Sequence, residues 1–71
     1  MNALTSAREQ SLHELRFTSL FNEGRGLAFA CDAAGLVDLD GLSDKARHNY
    51  FYARISIGRE YFLPSVRSIE H

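Results

Sequence analysis

Cys31 is the single cysteine in a chain of 71 residues, and that narrows the ways so short a sequence can hold a fold. No intramolecular disulfide can form, and a cysteine-only metal site would need several chains. A domain this short nets only about 3–5 kcal/mol from its own core, so the routes left are tight packing or oligomerisation. Self-association is therefore the first structural expectation. Apolar residues make up 45% of the chain and charged residues 24%, which describes one soluble domain with one small core. With 8 basic and 9 acidic side chains, the net charge of −1 gives no overall pull on phosphate backbones or acidic membranes. Any nucleic-acid role would need a local patch. No run approaches the ~20 apolar residues of a membrane helix, and Met1 to Arg8 lacks the basic start and apolar run of a signal peptide. The expected location is cytoplasmic.

Residues 1–11 show no sustained period and read as a mobile N-terminal tail, with a short helical turn from Ala3 to Gln10 as the alternative. From Leu12 to Asn22 the chain reads as a first strand. Leu15, Phe17, Ser19 and Phe21 share one face of it, and Glu14, Arg16 and Thr18 the other. Glu23-Gly24-Arg25-Gly26 supplies the reversal, and Leu27, Phe29 and Cys31 then alternate with Ala28, Ala30 and Asp32 in a second strand. Asp32-Ala33-Ala34-Gly35 is a turn in which Asp32 accepts hydrogen bonds and Gly35 takes the left-handed position. Leu36 to Leu39 reads as the third strand of an antiparallel meander.

A helix follows, capped by either Asp40 or Ser43. Leu42, Ala46, Tyr50, Ala53, Ile57 and Tyr61 recur at spacings of three and four, which gathers them into a stripe that should cover Leu15, Phe17, Phe29, Cys31, Val37 and Leu39. Pro64 stops the helix by Leu63 at the latest, and Gly58 can stop it earlier. The expected fold class is α+β, a three-stranded meander followed by one amphipathic helix packed on one sheet face (βββα). It fills residues 12–63, with residues 64–71 as a C-terminal tail.

Phe51, Ile55, Gly58 and Phe62 form a second apolar stripe, with Arg47 and Arg54 between the two. One sheet can hardly bury both stripes, and soluble monomers seldom leave such a patch uncovered. Either a terminal segment folds over it or two copies meet there. We expect the second, with Arg47, Phe51, Arg54, Ile55, Gly58 and Phe62 as the self-association residues of a homodimer. Arg47 and Arg54 would reach Asp44 or Glu60 of the other copy.

Chemistry is harder to find. His13, His48 and His71 include no pair at the spacing that aims two imidazoles at one metal, so no metal or other cofactor is expected. Cys31 with His48 could pair a nucleophile with a base, but Cys31 alternates into the core face and His48 lies on the polar side of the helix. Asp32, Asp38, Asp40 and Asp44 lack the spacing of a calcium loop and suit turns and caps. Glu23 to Gly26 could cradle an anion in its amides beside Arg25, yet no phosphate-loop fingerprint is present and a hairpin turn explains it better. Arg47, Arg54 and Arg59 with Tyr50, Phe51 and Tyr52 could grip a nucleic acid, diluted by Asp44 and Glu60. No catalytic residues emerge.

The segments NEGRG, CDAAGLVDLDGLSDKAR, NYFYAR and GRE, over residues 22–60, resemble a set of small uncharacterised proteobacterial proteins with the same segment order. The resemblance implies a stand-alone bacterial cytosolic domain and carries over no catalytic residue. Three antiparallel strands and one helix also look like the small DNA-binding domains of plant transcription factors and phage-type integrases, whose sheets enter the major groove. Here the row of basic side chains those sheets use is missing, so the likeness concerns fold alone. The functional expectation is a non-catalytic interaction module that self-associates through its helix. A protein partner of unknown identity is compatible with it, a membrane is not expected, and a nucleic-acid-binding regulator is the alternative.

Overall fold

The computed structural model describes residues 12–69. The N-terminal tail expected over residues 1–11 and the last two residues of the expected C-terminal tail, Glu70 and His71, lie outside them. Strand β1 runs His13–Thr18, β2 runs Gly26–Cys31, helix α1 covers Asp44–Ile55 and strand β3 covers Ser65–Ser68. The sheet has three antiparallel strands in the order β2-β1-β3, so the element order is ββαβ.

β1 lies in the middle because its alternation is the cleanest. Leu15 and Phe17 are buried on one face while Arg16 and Thr18 stay exposed on the other. β2 meets it with Leu15 opposite Phe29 and Phe17 opposite Leu27. The strand ends at Thr18 rather than continuing to Asn22, because the Ser19 hydroxyl accepts hydrogen bonds from the amides of Phe21 and Asn22 at 3.1 and 3.0 Å. That local turn takes the backbone out of the sheet. Phe21 is consequently 75% exposed rather than on the core face.

The third strand is not where the alternation placed it. Asp32 builds the expected turn: its carboxylate accepts from the amides of Ala34 and Leu36 at 2.9 and 2.8 Å, and Gly35 takes φ +90°. Beyond Leu36, however, the chain does not pair with β2. A 3-10 turn at Leu39–Gly41 takes it instead, with Gly41 N–H donating to the Asp38 carbonyl at 3.1 Å. Asp-Leu-Asp-Gly is strong turn chemistry, and a run of four residues is too short to outweigh it.

The segment expected to be a C-terminal tail supplies β3, with Val66 opposite Leu15 and Ser65 opposite Arg16. One turn earlier, Tyr61 bridges Ser19 and the Phe62 amide donates to the Thr18 carbonyl at 2.9 Å. Between those pairings three residues, Phe62, Leu63 and Pro64, stand against two, Phe17 and Thr18, so the run leading into β3 carries one extra residue, as in a bulge.

α1 starts at Ser43, whose hydroxyl accepts from the Ala46 amide at 3.1 Å, which settles the choice of cap. It ends at Ile55, well before Pro64, because Ser56 and a left-handed Gly58 at φ +85° close a tight turn. The Ser56 carbonyl accepts from the amides of Arg59, Glu60 and Tyr61 at 3.0, 2.8 and 3.2 Å. The core consists of Leu15, Phe17, Phe29, Cys31 and Ala53, ringed by Leu27, Val37, Leu42, Tyr50, Ile57 and Tyr61. Phe17 is its centre, with the rings of Phe29, Tyr50 and Tyr61 set edge-on at 6.0, 6.4 and 6.2 Å.

Candidate functional site

Among the apolar groups that this packing leaves exposed are two on the outer side of α1. Phe51 is 49% and Ile55 72% exposed, one helical turn apart on the side away from Ala53. Arg54 is exposed beside them and makes no ion pair among the described residues. The remaining stripe members are not on the helix. Gly58 belongs to the turn that ends it, and Phe62, 55% exposed, belongs to the run beside β1. The stripe assumed that the helix continues for two more turns, and Ser56 and Gly58 prevent that.

Arg47 is also placed differently from its expected role at a rim. It is half-buried, and its Nη2 donates to the Leu42 carbonyl at 3.1 Å and contacts Asp44 at 3.4 Å. It ties α1 to the preceding turn of its own chain.

Beside the patch, Tyr52 donates its hydroxyl hydrogen to the Glu60 carboxylate across the turn. That hydrogen bond, helped by local desolvation, pushes the Tyr52 phenol above its ordinary range. Leu63, 78% exposed after the turn, adds an apolar group that helical periodicity had hidden.

The polar groups considered for chemistry are spread out. Cys31 is buried on the core face of β2, and His48 is exposed on α1. The histidine directly opposite Cys31 is His13, across the β1–β2 ladder. Sequence reasoning missed this pair because it appears only once the register is known. It is not an activated thiol: burial, then the carboxylates of Asp32 and Glu14, push the Cys31 thiol upward. Among the described residues, no three His, Cys, Asp or Glu side chains converge on a point that could hold a metal.

Two surface recesses flank the β1–β2 loop. One, of about 250 Å³, is lined by Arg16, Phe17, Thr18, Gly24, Arg25, Gly26, Leu27 and Ala28. The other, of about 340 Å³, lies between Ser19, Phe21, Asn22, Arg25, Gly26 and Leu27 and the turn residues Glu60 and Tyr61. No described helix is long and apolar enough to cross a membrane. Comparison with protein-family models, with curated proteins and with solved structures finds no match to this chain.

Proposed function

We propose that the chain is a non-catalytic interaction module that self-associates through the outer face of α1, with Phe51 and Ile55 at the centre of the contact and Arg54 at its edge. The observation that carries this reading is the exposure of Phe51 and Ile55 on α1, in a chain whose buried apolar set, among the described residues, is only five residues. Fully burying such a side chain is worth about 1.5–3 kcal/mol, while association costs at least about 4 kcal/mol. Two such residues per copy therefore favour a reversible dimer over an obligate one.

Nucleic-acid binding along Arg47, Arg54 and Arg59 has weaker support, because Arg47 is half-buried and its Nη2 is bonded within its own chain.

Size-exclusion chromatography with light scattering, from about 10 µM upward, tests the proposal. The mass should climb from 8.0 kDa toward twice that value. Ile55→Glu should hold it at the monomer with an unchanged circular dichroism spectrum. A constant 8.0 kDa species at every concentration overturns the dimer.

A further inference from the structure

Arg16 and Arg25 line the first recess of the hairpin, and no acidic residue does. Arg16, Thr18, Gly24, Arg25, Gly26 and Ala28 form its polar and small-residue wall. Arg16 is paired with Glu14, so in a chain with 9 acidic and 8 basic side chains the local excess of positive charge is the one that Arg25 supplies. We propose that this recess binds a phosphate group, with Arg25 and Arg16 as its charged donors and the Thr18 hydroxyl as a neutral one.

Arg25 carries most of the argument. Turn geometry accounts for the glycines on either side of it: Gly24 takes φ +86°, and a Cβ on Gly26 would stand 2.0 Å from the Phe17 carbonyl oxygen. Nothing in the turn requires an arginine between them. Its backbone is held at both ends, the amide donating to the Asn22 carbonyl at 3.0 Å and the carbonyl accepting from the Ser19 amide at 2.9 Å. Its side chain has no carboxylate partner among the described residues.

Arg16 is held from the other direction. Its Nε donates to Glu14 at 2.9 Å and its Nη2 donates to the same oxygen, which leaves Nη1 without a partner among the described residues. Glu14 does not line the recess, and it both orients Arg16 and balances its charge, so Arg16 offers Nη1 as a donor while Arg25 supplies the unpaired charge. An oriented Arg16 beside an unpaired Arg25 suits phosphate, whose oxygens accept several N–H donors. Ala28 contributes only a methyl group, which keeps the floor open. The second recess has Glu60 in its wall and is not a phosphate site by the same reasoning.

Free phosphorylated molecules and nucleic-acid backbones present the same group, so the test carries both. Amide and arginine Nε resonances are followed by NMR during titration with inorganic phosphate and, separately, with a short mixed-sequence DNA duplex. The proteins are wild type, Arg25→Gln and Lys45→Ala. Wild type should shift at Thr18, Gly24, Arg25 and Gly26. Arg25→Gln, which keeps both glycines, should bind about tenfold more weakly, and Lys45→Ala, exposed and outside the recess, should match wild type. If the source is a nucleic acid, the duplex acts through the same amides at far lower concentration and weakens steeply with salt. If it is a small molecule, inorganic phosphate acts at those amides and the duplex gains nothing. The proposal is overturned if neither titrant moves these amides, or if Arg25→Gln binds like wild type. The recess shares no residue with the outer face of α1, so the two proposals stand or fall separately.

Discussion

Gly26 and Gly58 look interchangeable in the sequence, yet they are constrained in opposite ways. At Gly26 the problem is space, because a Cβ would collide with the Phe17 carbonyl, and backbone cannot swing aside like the end of a side chain. At Gly58 there is nothing within 4 Å, and the only obstacle is φ +85°. Gly58→Ala should therefore cost about 1–2 kcal/mol of backbone strain. Gly26→Ala should cost about 3 kcal/mol or abolish folding, since the hairpin must open to admit the methyl group. Chemical denaturation of both variants ranks them, and a milder Gly26→Ala would mean that the register of β1 on β2 is wrong. Arg47 shows how far single residues can be read. Its position between two apolar stripes was legible, but its bond to the Leu42 carbonyl depends on a turn that only the folded chain displays.

At the scale of elements, the helix face was legible because it rests on spacing alone. Ala53 is fully buried, and Leu42, Tyr50, Ile57 and Tyr61 all pack on the core, even though Ile57 and Tyr61 have left the helix. The turn closed by Ser56 returns them to the same side, so the periodicity continued past the element that justified it. Ala53→Phe should cost about 1–3 kcal/mol through overpacking of that layer. Arg59→Ala, at an exposed turn position, should change stability by no more than roughly 0.5 kcal/mol. Equal denaturation midpoints for the two would show that Ala53 does not face the sheet. The third strand was not legible for the opposite reason. Ser65 to Ser68 has one apolar residue, and all four residues are exposed, so its strand character comes from the free edge of β1. Leu36 to Leu39 has the better pattern but runs into the Leu39–Gly41 turn, whose bonds, from the amides of Gly41 and Leu42 to the carbonyls of Asp38 and Leu39, are local and form without a partner strand.

For the whole molecule, stability should grade outward from β1. That strand is paired on both sides and contains the fully buried Phe17, whereas β3 is exposed throughout and pairs on one side. Native-state hydrogen exchange should find the amides of Leu15 and Phe17 among the slowest and those of β3 faster. Equal protection in the two strands would mean that β3 opens only with global unfolding. The two proposed interaction surfaces lie on different elements, the recess on the β1–β2 hairpin and the apolar patch on the outer side of the helix. Neither recess was visible as such in the sequence, because Arg16 and Arg25 meet only across a folded hairpin. The pairing of β1 with β3 also has a mechanical meaning. Ile69 donates its amide to the Leu12 carbonyl at 3.0 Å, and His13 faces Ser68, so the two ends of the described chain lie side by side. Tension applied between Leu12 and Ile69 would load one rung of the ladder at a time, like a zipper pulled from its open end. The fold should yield to stretching from those ends at low force, however well its core resists heat or denaturant.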